Sequence, residues 1–276
     1  MREVVNVVRR PGFPGVELIQ ASNSSREWGH QCSTFAFGSM RDWNGSLEYR
    51  RRNLSLASGE TFLFDAGELF HAVPVDGRAG SFRVIEITPE TFEAACRAEG
   101  VSAPIHFARI VTKVSPQLER ALDALQGALL ADAEPLEQQS RLAQLAHAAA
   151  STVLEQAARA PSKPVPLGPC ARLREILHSA QGTRLNLSDF ARQAGVSQYQ
   201  LLRTFKRHYG YPPHAYGLHV RVERARQMLR RGFSVAQAAA ANDFSDQSHL
   251  TRHFRRIWGV TPGVYASGTS FTLPTL

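Results

Sequence analysis

Two arginines, Arg203 and Arg252, stand 49 residues apart at the same point of two similar segments. Arginine presents a planar fork of donors that can bridge O6 and N7 of a guanine in the major groove of duplex DNA. Each arginine has company at helical spacing. Tyr199, Leu202, Arg203 and Lys206 fall at i, i+3, i+4 and i+7, and Ser248, Thr251, Arg252 and Arg255 repeat that spacing. Hydroxyl, methyl and guanidinium groups on one stripe are what base edges need, while Lys206 and Arg255, farther along, suit phosphates. Any single residue of the set could belong to a solvated helix face. Two stripes with arginine at the same point of the frame are hard to explain that way.

The elements that must hold these side chains are written twice. LLRTFKRHYGYPPHAY (201–216) aligns with LTRHFRRIWGVTPGVY (250–265), and Leu201/Leu250, Phe205/Phe254, Gly210/Gly259, Pro213/Pro262 and Tyr216/Tyr265 are among the identical pairs. Upstream the offset becomes 48, pairing Ala191 with Ala239 and Ser197 with Ser245, so the second copy carries one extra residue near the start of its last helix. In the first copy Leu187, Phe190, Ala191 and Ala194 form the apolar face of a short helix. Ala194-Gly195-Val196 is the turn, with glycine where φ is expected to be positive. Ser197 is an N-cap, Gly210 ends the next helix, and Pro213 opens the one after it. Leu201, Phe205 and His208 should face inward, as should Leu250, Phe254 and Ile257. A helix, a tight turn and a second helix with a polar outer stripe make a helix-turn-helix unit. Pro213 to Arg231 reads as a connecting helix about 28 Å long, a spacer able to set two such units in successive major-groove segments about 34 Å apart.

Charge separates this region from the rest. Residues 160–276 hold 16 Lys+Arg and 5 Asp+Glu, a net +11, whereas residues 1–159 hold 16 and 19, a net −3. A strongly basic domain is matched to a polyanion. The proline-rich stretch 160–169 reads as a linker, dividing the chain into residues 1–159 and 170–276. Before it, short β-type runs (Cys32–Phe37, Leu47–Arg51, Thr61–Phe64 and Phe82–Ile87) predict an antiparallel sandwich or small barrel. Leu118, Leu122, Leu125 and Leu129, then Leu142, Leu145, Ala149 and Val153, recur at helical spacing on either side of Pro135. They predict a helix pair over about 115–159, whose stripes pack on each other and the barrel or also supply a dimer seam. The fold class expected is α+β: a barrel with a helix pair, then an all-α domain of two helix-turn-helix units joined by a helix.

At 194–207 (AGVSQYQLLRTFKR), Ala225-Arg226, 243–256 (DFSDQSHLTRHFRR), Gly259 to Pro262 and Tyr265, the sequence resembles the AraC/XylS family of bacterial transcription regulators. The resemblance implies base contacts from Gln198, Tyr199, Leu202 and Arg203, and from Gln247, Ser248, His249, Thr251 and Arg252. Where the family usually has glycine at the second turn, this chain has Asp243, a residue that tolerates the left-handed region better than most. More loosely, GETFLFDAGELFH (59–71) resembles a strand–turn–strand segment of the family's cupin-like sensor domain. It implies a barrel that can enclose a small-molecule effector. Phe37, Trp43, Phe64 and His71 are candidates to line it, with Phe35, Phe62 and Phe82 beside them, although alternation along strands can turn only some of them inward. The resemblance further implies RNA polymerase as a partner and activation as the commoner mode, while the stripes of the helix pair suggest a homodimer.

Other classes require residues that are missing. A metal-dependent cupin enzyme with a basic tail needs a His-x-His pair with further ligands, whereas His30, His71 and His106 stand far apart, so no metal or other cofactor is expected. DNA-alkylation repair needs an activated cysteine in a cluster, and Cys32, Cys96 and Cys170 are isolated. Three scattered thiols fit a reducing cytoplasm, and neither a secretory leader nor a membrane-spanning run is expected. Arg50-Arg51-Arg52 reads as a solvated strand end. Arg203→Ala or Arg252→Ala should each cost about 1–3 kcal/mol of specific DNA binding and relax base preference at one position. Unchanged selectivity in both variants would count against the two stripes as reading surfaces.

Overall fold

A computed structural model describes residues 3–49, 52–101, 107, 116–157, 168–179, 186–268 and 271–272. The chain opens with β1 (Val4–Arg9), β2 (Val16–Ser24), β3 (Trp28–Cys32), β4 (Phe35–Met40), β5 (Gly45–Tyr49), β6 (Arg52–Leu56), β7 (Thr61–Phe64), β8 (Glu68–Pro74) and β9 (Gly80–Ile87). Helices α1 (Pro89–Ala98), α2 (Pro116–Leu130) and α3 (Pro135–Ala157) follow. The C-terminal half holds α4 (Pro169–Ser179), α5 (Leu187–Gln193), α6 (Gln198–Tyr209), α7 (Pro213–Arg230), α8 (Val235–Ala241), α9 (Gln247–Trp258) and α10 (Pro262–Ala266). A short β10 (Phe271–Thr272) closes the described chain by pairing with β1.

The strands form two antiparallel sheets in the order β10-β1-β2-β9-β4-β7 and β3-β8-β5-β6, a cupin-like arrangement. Two strands, β1 and β2, precede the region in which the sequence predicted strands. The run Cys32–Phe37 is not one strand: it ends β3 in one sheet and begins β4 in the other. β5 stops at Tyr49, and Arg50 and Arg51 lie outside the described residues, as do 160–167 of the expected linker.

Period-two alternation divides the six-stranded sheet between two cores. On β4, Phe35 and Phe37 point to the face covered by α1, α2 and α3, where they meet Phe92 and Phe107. Ala36 and Met40 point between the sheets, as do Phe62 and Phe64 of β7. Gly38 permits this, since a Cβ there would lie 2.0 Å from the Phe62 ring. Leu118, Leu122, Leu125, Leu129, Leu142, Leu145 and Ala149, the stripes of the helix pair, are all buried in the outer core. They are used within the chain, and the side chain of Val153 lies outside the described residues. No helix among the described residues is long and apolar enough to cross a membrane.

A third core unites α4, α5 and α6 with the start of α7 around Phe205 and Tyr216. Arg174 Nε donates to Tyr216 Oη at 3.1 Å, and that oxygen lies 2.9 Å from His178 Nε2. With Arg174 as donor, the hydroxyl gives its proton to a neutral imidazole. Burial first, then Arg174 and Arg224, push His178 down from 6.5 to about 4. A histidine depressed on folding contributes stability above its unfolded value, and that stability is lost as pH falls toward the folded one. The unfolding free energy should therefore drop between pH 6.5 and about 4, by on the order of 1–3 kcal/mol for this residue. His178→Gln keeps an acceptor and should flatten that part of the slope in urea titrations.

Candidate nucleic-acid interface and barrel cavity

Both predicted recognition segments are helices with matched starts. Gly195 has φ 69° and Asp243, at the equivalent place, φ 56°, so aspartate occupies the left-handed turn. Ser197 Oγ accepts from Gln200 N at 3.1 Å. In the second unit the N-cap is Asp246, whose Oδ1 accepts from His249 N at 2.7 Å, and not the Ser245 that the sequence alignment paired with Ser197. The extra residue lies in the turn, which runs from Ala194 to Ser197 in one copy and from Asn242 to Asp246 in the other. Ser245 bonds the Asp246 carboxylate and the His249 ring instead.

From α6, Gln198, Tyr199, Arg203 and Lys206 project into solvent, Tyr199 at 74% exposure, and Leu202 is half-buried. From α9, Gln247, Ser248, Arg252 and Arg255 are exposed and Thr251 is half-buried. Leu201 and Phe205, then Leu250, Phe254 and Ile257, anchor the opposite faces in the core. His208 is half-buried and faces a cleft toward Glu68 to His71 of the barrel. His249 turns its ring to the inter-helix turn, against Phe244 and His253. The stripe of α9 does not stand alone: Gln247, Ser248, Thr251, Arg252 and Arg255 share a cleft with Ser25, Arg26 and Glu27, between β2 and β3.

Between the sheets lies an apolar cavity of about 40 Å³. Trp43, Phe62, Phe64 and Phe82, expected to line it, do so. Phe35 and Phe37 do not, because register turns them to the helix-covered face. Nor does His71, which pairs with Glu27 at 3.1 Å beside the interdomain cleft, while His106 lies outside the described residues. The cavity holds the chain's three tryptophans, Trp28, Trp43 and Trp258, the last supplied by α9. No metal-binding group of three or more His, Cys, Asp or Glu occurs among the described residues. Burial raises all three thiols above their usual value, Cys96 to about 11, so none of them is an activated thiolate at neutral pH.

The sequence did not reveal the cluster that joins the halves. Arg226 of α7 is fully buried among three carboxylates. Its Nη1 reaches Glu17 of β2 at 2.9 Å, its Nη2 reaches Glu86 of β9 at 2.6 Å, and its Nε reaches Glu223 at 2.8 Å. Tyr265 Oη donates to Glu17 at 2.9 Å, and the Trp258 ring lies 4.3 Å from the guanidinium carbon. Arg9 pairs with Glu17 at 2.5 Å, and Arg230 stands 3.9 Å from it. Burial pushes the Glu17 carboxyl up, but Arg230, Arg226 and Arg9 together outweigh it and hold it below its usual value.

Two family models match the chain, one described as an AraC-like ligand binding domain over residues 13–146 and one as a helix-turn-helix domain over residues 190–268. The chain belongs to the AraC family of transcriptional regulators. An uncharacterized HTH-type transcriptional regulator, YbfI of Bacillus subtilis, is 26% identical over 197 residues, 70% of each chain. The HTH-type transcriptional regulator RipA of Corynebacterium glutamicum is 34% identical over 111 residues, 40% of this chain and 34% of its own. Crystal structures of ToxT from Vibrio cholerae share the two-domain fold. An apo form has a TM-score of 0.58 at 9% identity, covering 94% of this chain and 100% of its own. An unsaturated-fatty-acid-bound form has 0.54 at 10%, covering 98% and 96%. This AraC-family regulator thus pairs a ligand-binding domain with a helix-turn-helix domain.

Removing one partner from a buried ionic cluster leaves the others charged and unsolvated. Arg226→Met should cost about 3–5 kcal/mol in chemical denaturation. A variant as stable as the parent would show that the cluster does not hold the halves together.

Proposed function

We propose that this AraC-family protein binds a bipartite site on double-stranded DNA and, as is commoner in the family it resembles, activates transcription through RNA polymerase. Tyr199, Arg203 and Lys206 of α6, with Gln198 and Leu202, serve one half-element. Gln247, Ser248, Thr251, Arg252 and Arg255 of α9, with His249 at their edge, serve the other. The observation that carries this reading is the matched pair of capped helices, each anchored by a buried Leu and Phe and each presenting arginine outward at the same point. The net +11 of residues 160–276 supplies the sequence-independent part of the affinity.

An effector acts through the sensor domain, and no catalysis is assigned to the chain. The cavity is the proposed effector site, with Trp43 and Phe64 on its wall; Phe37 and His71 would act on it only from outside. That ToxT, a protein of this fold, is bound by an unsaturated fatty acid supports an effector with a substantial hydrocarbon part. Action in the cytoplasm, beside the chromosome, follows from this reading. Homodimerisation would use surfaces other than the buried helix stripes, such as that around exposed Leu130 and Leu136.

Selection from a random duplex library should enrich two different elements centred about 10 bp apart, one helical turn. Salt-sensitive binding without any enriched sequence would remove the recognition assignment and leave only a basic surface.

A further inference from the structure

The turn between α8 and α9 is tied to the connecting helix α7 at three successive residues. Asn242 Nδ2 donates to Met228 Sδ at 3.3 Å, besides the Ala238 carbonyl at 2.8 Å. Arg221 Nη1 donates to the Asp243 carbonyl at 3.0 Å. The Arg221 guanidinium also lies 5.2 Å from the centroid of the Phe244 ring, and that buried ring packs in turn against His249 and His253 of α9. Arg224 stands one turn beyond Arg221 on the same face of α7, where it feels the attraction of the Asp243 carboxylate.

The first unit has no such brace. Its turn is one residue shorter, Gly195 is exposed, and no side chain bonds the backbone of Ala194, Gly195 or Val196 among the described residues. The longer second turn holds Asp243 at φ 56°, a left-handed conformation that a residue other than glycine keeps only where its surroundings hold it. Arg221 supplies that hold from the helix that both units share. Tyr216 and Val220, early in α7, pack in the core around Phe205, whereas Val222, Ala225 and Leu229 pack in the core that contains Phe254. Helix α7 is therefore the frame that carries both recognition helices, and the second turn is the joint on which α9 can swing against it.

We infer that Arg221, supported by Arg224, is a positioning residue that fixes α9 relative to α6 and so makes the protein selective for the spacing of its two half-elements. The inference rests on the reading of α6 and α9 as recognition helices. One added base pair moves the second element about 3.4 Å along the duplex and turns it about 35° around the axis. A braced α9 does not follow that displacement, whereas an α9 on a loosened turn does. In this role Arg221 reads no base and meets no phosphate, so it governs spacing and not sequence.

The test measures binding of the full-length protein to the duplex enriched by selection, and to duplexes with one base pair inserted or removed between the two elements. The parent should bind the altered duplexes at least about tenfold more weakly than the enriched one. Arg221→Met keeps an aliphatic stem on Phe244 but has no donor, and in it that ratio should fall below about threefold, with the base preference inside each element unchanged. Arg221→Lys retains a donor for the Asp243 carbonyl and should restore the ratio. Asp243→Gly accepts the positive φ and removes the carboxylate that faces Arg224; it should lower the ratio at least about twofold, which decides the matter even if Arg221→Met does not fold. The inference is overturned if the parent tolerates altered spacing, or if Arg221→Met and Asp243→Gly keep the parent's ratio. It is also overturned if Arg221→Met makes the fall of log K with log salt shallower by about one, the mark of a lost phosphate contact. A parent that enriches no sequence at all overturns the two-element reading itself, whereas one that enriches a sequence and ignores its spacing overturns the inference alone.

Discussion

A guanidinium with no access to water is among the costliest groups a protein can bury, and Arg226 is buried completely. Two of its three carboxylates, Glu17 and Glu86, come from neighbouring strands of the barrel, where they are paired in register. The third, Glu223, lies one turn away on its own helix. Neither half of the chain completes this cluster alone: the barrel would keep two neighbouring carboxylates without Arg226, and α7 a guanidinium with Glu223 as its one carboxylate. Docking satisfies both at once. For that reason the inter-sheet core of the barrel and the core of the second helix-turn-helix unit are continuous, running from Trp43 and Phe62 to Phe254 and Tyr265.

The duplicated C-terminal sequence is echoed in how each unit meets the barrel. Tyr216 and Tyr265 occupy equivalent places in the repeat, and each hydroxyl accepts from an arginine on a preceding helix, Arg174 and Arg226 respectively. Both arginines then reach across to the sensor domain, Arg174 to the Gly67 carbonyl at 2.9 Å and Arg226 to Glu17 and Glu86. The two contacts differ in strength. Arg174 stays half-buried and meets a backbone carbonyl, with the Glu68 carboxylate at a loose 3.9 Å, whereas Arg226 is sealed among three carboxylates. The second unit is therefore the one most firmly coupled to the cavity, through Trp258 as well as Arg226.

Much of the C-terminal domain was legible in the sequence because its signals are local. Helical spacing placed Leu201, Phe205, Leu250 and Phe254 inward. Turn chemistry located Gly195 and the unusual Asp243. The alignment pairs Ser245 with the cap Ser197, and the extra residue just before the last helix passes the capping role to Asp246, whose carboxylate reaches the free amide of His249. In the barrel, the aromatic residues were found but could not be sorted. Phe35, Phe37, Phe62 and Phe64 look alike as sequence, and only strand register puts the second pair in the cavity and the first under the helices.

What the sequence determined by itself was the presence of two helix-turn-helix units, their exposed arginines and their charge, because periodicity, capping and net charge act over a few residues or over simple sums. What only the tertiary structure decided was the coupling between the halves. Glu17, Glu86 and Arg226 lie up to 209 residues apart and look like ordinary surface charges along the chain. Their burial, their pairing and their place beside the cavity arise only when β2, β9 and α7 are brought together, since desolvation is a property of the surroundings and is not encoded in any short stretch of residues.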